Sequence, residues 1–218
     1  MPACIARQPT AGYHGRAVDE PALILAAQRG DLDAFNRLVL HYQDLAFNVA
    51  LRIMGEQAAA GDATQEAFLA AYHSLGGYRG GSLRAWLLRI VTNACYDELR
   101  RRKRRPAVSL EALVEDSEVV RPVSSTNSDD NPEATVQRHE LIQAIQECLS
   151  QLPVEFRIVA ILVDVQGLDY VEAAQAVRKP LGTVKSRLAR ARAKLRDCLK
   201  GYGELLPARF RLQDEVVP

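Results

Sequence analysis

Residues 182–192, Gly182-Thr183-Val184-Lys185-Ser186-Arg187-Leu188-Ala189-Arg190-Ala191-Arg192, decide how this chain is read. Wound as a helix, the stretch and its continuation place Val184, Leu188, Ala191 and Leu195 on one face, at helical spacing. The other face carries Lys185, Ser186, Arg187, Arg190, Arg192, Lys194 and Arg196. An apolar back and a cationic front fit the major groove of DNA. Phosphates attract the cations there, and base edges accept and donate hydrogen bonds to Ser and Arg.

A cationic face also describes an ordinary solvated helix, so the flanking sequence must choose. Upstream, Asp169-Tyr170-Val171-Glu172 has the form of a capping box and opens a short helix with Ala173, Ala174 and Val177 facing inward. Arg178-Lys179-Pro180 turns the chain, and Pro180 fits the start of the next helix. A short helix, a tight turn and a basic amphipathic helix make a helix-turn-helix. Before it, Leu141, Ile142, Ile145, Leu149 and Leu152 share one helix face, and Phe156, Val159, Ala160, Leu162 and Val163 continue after Pro153 until Gly167. Residues 136–200 thus read as a DNA-binding domain of four helices, with Asn131-Pro132 as the cap and first-turn proline before it.

Residues 106–135 are rich in Ser, Asp, Asn and Pro, with no apolar period, and read as a flexible linker. Residues 21–105 read as a first helical domain. Pro21 to Arg29 forms a helix that Gly30 stops, and Asp33 to Met54 forms a long one with Phe35, Leu38, Val39, Tyr42, Leu45, Ala46, Val49, Ala50 and Ile53 on one face. A third, from Gly61 to Leu75, turns Ala63, Ala67, Phe68 and Ala71 inward and Asp62, Gln65 and Glu66 outward. The glycines of Gly76 to Ser82 make a loop, and Ser82 caps a helix with Leu83, Trp86, Leu87, Ile90, Val91 and Ala94 on its apolar side. At about 85 residues this unit is large enough to fold alone. The expected fold is all-α: two small helical domains joined by a flexible acidic linker, the second containing the helix-turn-helix. Residues 1–20 and 201–218 read as tails.

The net charge of +1 would not suggest nucleic acid, but its distribution does. Arg100 to Arg105 is an unbroken basic run, Arg178 to Lys200 holds a single acid, and Glu111, Glu115, Asp116, Glu118, Asp129, Asp130 and Glu133 lie between. Cys4, Cys95, Cys148 and Cys198 are widely scattered, which predicts neither a zinc site nor a disulfide framework and fits a reducing cytoplasm. No run approaches a membrane span or the core of a signal peptide, so membrane insertion is not expected. Nothing calls for a cofactor or a metal.

Residues 181–192 resemble the region 4.2 signature of extracytoplasmic-function sigma factors, the small two-domain sigma subunits of bacterial RNA polymerase. Leu149-Ser150-Gln151-Leu152-Pro153 and the stretch from Gly167 to Ala174 resemble region 4.1 and the first helix of its helix-turn-helix. Gly61 to Tyr72 is similar to region 2.2, and Trp86 to Ala94 to region 2.4. The resemblance implies docking of Asp62, Gln65, Glu66 and Phe68 on the coiled coil of the polymerase beta-prime subunit, and of the second domain on the beta flap. It implies minus-ten contacts by Tyr78, Arg79 and Asn93, with Asn93 lining a pocket for a flipped base and Arg100, Arg101 and Lys103 along the phosphates. It implies minus-thirty-five contacts by Lys185, Ser186 and Arg190, with Thr183 and Arg187 on phosphates. It further implies an anti-sigma factor as regulator and a linker whose Asp129 and Asp130 mimic nucleic acid in a basic channel. Trp86 is assigned to the core.

A regulator that only binds operators would explain the residues after 140 but not the motifs at Asp62 to Tyr72 and Trp86 to Asn93. A DNA-modifying enzyme would need a nucleophile or clustered metal ligands, and Ser74 and Ser82 stand without such a cluster.

Overall fold

The chain begins with α1 (Glu20–Gln28), α2 (Leu32–Met54), α3 (Gln57–Ser74) and α4 (Leu83–Arg104) in a computed structural model that describes residues 19–104 and 132–205. A second group follows: α5 (Pro132–Ser150), α6 (Val154–Ala160) widening into a π segment at Ile161–Val165, α7 (Tyr170–Val177) and α8 (Leu181–Leu199). Among the described residues there is no strand. Residues 1–18 with Cys4 and residues 105–131, which hold Arg105, most of the expected linker and the cap at Asn131, lie outside the described residues; the expected linker end at residue 135 is corrected, because α5 already begins at Pro132, a residue suited to the first helical turn.

Local chemistry sets the ends of these helices. Asp31 accepts from the Ala34 amide at 3.0 Å, and Ser82 from the Ala85 amide at 3.1 Å, so each satisfies an orphan donor of the first turn. Gly55 closes α2 at a φ of 76°, where a Cβ would be strained. At α7, Asp169 accepts from the amides of Val171 and Glu172, both at 2.8 Å, while the Glu172 carboxylate accepts from the Asp169 amide at 3.0 Å. Asp169→Ala is therefore expected to cost about 1 kcal/mol of stability, read as a lowered midpoint in urea or thermal unfolding.

Two helices depart from the sequence reading. α3 begins at Gln57 rather than Gly61, because Gln57-Ala58-Ala59-Ala60 are strong helix formers and offset the glycine that follows. On α4 the fully enclosed residues are Leu83, Leu87, Leu88, Val91, Thr92 and Cys95, while Trp86, Ile90 and Ala94 are only partly buried. The stripe is wider and rotated because α4 packs against α2 and α3 and also against α7.

The two helical groups share one continuous cluster of buried residues, running from Leu23 through Val91 to Ala191. Arg157, 9% exposed, reaches from α6 to donate to the carbonyl of Ile53 at 2.6 Å. It also donates to the carbonyls of Leu152, at 3.1 Å, and Ser150. Burial lowers the pKa of this guanidinium.

The expectation of no disulfide is overturned. Cys148 on α5 and Cys198 on α8 are bonded, with Cα atoms 5.8 Å apart across 50 residues of sequence. The packing of α5 against α8 brings them together, a tertiary fact that spacing along the chain does not carry. Nearby, Tyr202 donates its hydroxyl to Glu147 at 2.8 Å and ties the end of α8 to α5. Cys95 is the free cysteine among the described residues, and burial pushes its thiol up to about 12. The described residues contain no cluster of His, Cys, Asp or Glu able to hold a metal, and no helix long and apolar enough to cross a membrane.

Candidate nucleic-acid interface

The turn between α7 and α8 is built by Arg178, which adopts a left-handed φ of 52° at the end of α7. Such a backbone costs a non-glycine residue of order 1 kcal/mol, and the turn recovers part of this through the Lys179 amide, which donates to the Ala174 carbonyl at 3.1 Å. Pro180 occupies the N-cap position, so α8 leaves the turn at Leu181. Val184, Leu188 and Ala191 are buried beneath it.

That seating turns the cationic side of α8 outward. Lys185, Ser186 and Arg190 are exposed, and Thr183 is half-buried. The Lys185 ammonium lies 5.8 Å from the centre of the Tyr170 ring, and the Ser186 hydroxyl donates to the Thr183 carbonyl at 3.0 Å. Arg187 turns to the side and pairs with Glu155 at 2.9 Å, with 20% of its side chain exposed. Arg192 forms a bidentate pair with Asp164 at 3.1 and 2.5 Å, which raises its pKa. Among the described residues, Lys185, Arg190, Lys194 and Arg196 of α8 are exposed with no ion-pair partner, Lys185 and Arg190 lying nearer the turn, whereas Arg187 and Arg192 are held by Glu155 and Asp164.

In the first domain the glycine loop places Arg79 outward, its guanidinium 3.3 Å from the Gly76 carbonyl. Tyr78 does the opposite. It is 9% exposed, its ring meets Trp86 edge-on with centroids 5.4 Å apart, and its hydroxyl donates to the Gly81 carbonyl at 2.8 Å. Gln28 donates to the carbonyls of Leu75 and Tyr78, both at 3.0 Å, and pins the loop from α1. Asn93 is half-buried on α4. Further along α4, Arg100 and Lys103 are exposed, Arg101 pairs with Glu98, and Arg102 pairs with Glu98 at 2.8 Å and with Glu56 at 2.5 Å.

On α3, Asp62, Gln65 and Glu66 are exposed together and line a shallow depression with Leu69 and Ala70. Phe68 is not with them. It packs partly buried against the core, in a cavity with Phe35, Leu38 and Tyr42. Leu69, 57% exposed, supplies the apolar contact on the acidic face instead. Its position three residues after Glu66 and four after Gln65 carried that signal in the helical period.

A capped short helix, a left-handed turn and a basic helix seated on its apolar side define a helix-turn-helix DNA-binding protein with a second helical domain. The chain matches the family Sigma-70 region 2 over residues 38–105 and the family Sigma-70, region 4 over residues 142–195. It is also 37% identical over 204 residues to the ECF RNA polymerase sigma factor SigM of Mycobacterium tuberculosis, covering 93% of this chain and 95% of that one. The chain belongs to the sigma-70 family as an extracytoplasmic-function RNA polymerase sigma factor, a transcription initiation factor that directs polymerase to promoters. It is 36% identical over 171 residues to the RNA polymerase sigma-H factor of Pseudomonas aeruginosa, over 78% of this chain and 88% of that one. Among solved structures, CnrH in complex with the cytosolic domain of CnrY is similar at a TM-score of 0.57 and 26% identity, over 84% of this chain and 97% of that one. The sigma factor RpoE of Bartonella quintana, in complex with the anti-sigma factor NepR, is similar at a TM-score of 0.57 and 25% identity, over 76% and 96%.

Proposed function

We propose that Lys185, Ser186 and Arg190 face the bases of the minus-thirty-five element while Thr183 and Arg187 hold phosphates. The observation that carries this reading is the outward, unpaired display of Lys185 and Arg190 on a helix whose apolar side is fixed. The loop at Gly76 to Ser82 and the adjacent face of α4 take the minus-ten strand. Arg79 is the exposed hand of that loop, Tyr78 is the buried strut that shapes it against Trp86, and Asn93 lines the pocket for the flipped base. Arg100, Arg101 and Lys103 add sequence-independent affinity along the upstream phosphates. The factor makes and breaks no covalent bond itself and works in the cytoplasm beside its polymerase.

Domain boundaries follow the same division: residues 21–105 for the polymerase and minus-ten contacts, and residues 136–200 for the helix-turn-helix and the beta flap. The acidic face of α3 docks on the beta-prime coiled coil, with Asp62, Gln65 and Glu66 as its polar contacts and Leu69 beside them. Phe68 supports that face from the core. The likeness to RpoE solved with NepR supports an anti-sigma factor as a further partner.

Asp62→Lys with Glu66→Lys tests the docking assignment. Both side chains are exposed, so the fold should tolerate the change, with its thermal midpoint unmoved. Co-purification with core polymerase should fall by about tenfold or more, because like charges then face a basic partner. Undiminished association would remove α3 from the docking surface.

A further inference from the structure

Charge alone does not make Lys185 a reader of bases. A lysine ammonium is a compact point charge on a flexible stem, and a free one spreads over many rotamers. Its attraction to DNA then goes to phosphates, without sequence preference. Lys185 has no ion-pair partner among the described residues, yet it is not loose: its ammonium lies 5.8 Å from the centre of the Tyr170 ring, within the range of a cation–π contact.

Tyr170 is itself held in place. It opens α7 directly after Asp169, and the capping box of Asp169 and Glu172 fixes the backbone on which it stands. α7 packs against α8, and the Tyr170 hydroxyl reaches Arg192, about two turns beyond Lys185 along the same helix. Asp164 is the main cause of the raised Arg192 pKa, and Tyr170 adds to it. Asp164 stands on the π segment and grips Arg192 at 2.5 and 3.1 Å. The ring is thus anchored at its hydroxyl end and capped by Lys185 on its face. At 38% exposure it contributes little to the core.

We propose that Tyr170 is a positioning residue for promoter reading: its ring holds the Lys185 ammonium at the groove, so that Lys185 meets a base edge instead of wandering among phosphates. The proposal rests on the assignment of α8 to the minus-thirty-five element, and it names a residue outside α8 on which the sequence preference of that helix depends. A held ammonium gives up less freedom when it meets an acceptor such as guanine O6 or N7. A wrong base pair then faces a donor that cannot swing away. Tyr170 touches no base in this role and acts through Lys185.

The test pairs Tyr170→Leu, which removes the ring, with Tyr170→Phe, which keeps the ring and loses only the hydroxyl. Each is made in the full chain, with Lys185 native and with Lys185→Ala. Holoenzyme binding is measured on a promoter selected by the native chain and on its single-base-pair variants across the minus-thirty-five element. The pair at which Lys185→Ala abolishes discrimination is the one Lys185 reads. There Tyr170→Leu should cut the preference roughly two- to fivefold, and Tyr170→Phe should stay within about twofold of native. Once Lys185 is Ala, Tyr170→Leu should change nothing further. In the free chain, NMR should show the Lys185 ε-methylene protons shifted upfield by the ring, in the native protein and in Tyr170→Phe but not in Tyr170→Leu. The proposal is overturned if Tyr170→Leu weakens binding equally at every base pair, if its effect survives Lys185→Ala, if the preference does not move, or if the native ε-methylene protons are unshifted. A holoenzyme with no preference anywhere in the element fails one step earlier, at the assignment of α8, and takes this proposal with it.

Discussion

Replacing Lys185 and Arg190 together by Ala is expected to weaken promoter-complex formation by about two to three orders of magnitude, since each groove contact contributes roughly 1–3 kcal/mol. Both side chains are exposed on α8, and neither supports the fold, so thermal unfolding should scarcely change. The loss should also be visible in its salt dependence. Two cations removed from phosphates or base edges lower the slope of log affinity against log salt by up to about two. Filter binding of the holoenzyme, on a promoter selected by the native chain, gives both quantities. Arg192→Ala is the internal comparison. Its guanidinium is already held by Asp164 in a bidentate pair, so DNA must compete for it and its removal should cost several-fold at most. An equal loss for Arg192→Ala would show that α8 binds through general charge rather than through its outer face.

The second large effect concerns stability. Opening the Cys148–Cys198 bond by Cys198→Ser should cost about 4 kcal/mol under oxidising conditions, the loop-closure entropy of a crosslink spanning some fifty residues. Cys198 is the half-buried partner, whereas Cys148 is 1% exposed, so serine at 198 adds the smaller desolvation penalty. Urea unfolding should show the native chain and the variant well separated without reductant and nearly coincident in dithiothreitol. A difference that survives full reduction would assign the effect to packing rather than to the crosslink.

What the sequence made legible was local. The capping box at Asp169 and Glu172, the Ser82 cap and the inward face of α8 each depend on residues within one or two turns. These interactions leave a signature at fixed spacing. The same holds for the outward set Lys185, Ser186 and Arg190, and for Asp62, Gln65 and Glu66.

Tertiary packing was not legible. Cys148 and Cys198 meet only because α5 lies on α8. Arg187 and Arg192 resemble their neighbours in sequence, yet Glu155 and Asp164, far upstream, engage them. Tyr78 has the composition of an exposed wedge, but Trp86 and the Gly81 carbonyl give its ring and hydroxyl better partners than water. Phe68 lies beside the acidic residues in sequence and on the core side in space, because one residue along a helix turns the side chain through about 100°. The seam between α4 and α7 carries no mark of its own in the chain, although its Ala173 and Ala176 are small enough to let helices approach.

The two domains act together to direct core polymerase to promoters. Run-off transcription with core polymerase and a genomic promoter library tests this most directly. Discrete transcripts should appear that require the native chain and disappear both with Asp62→Lys/Glu66→Lys and with Lys185→Ala/Arg190→Ala. DNA binding by the chain without any transcript dependent on it would rule that joint role out.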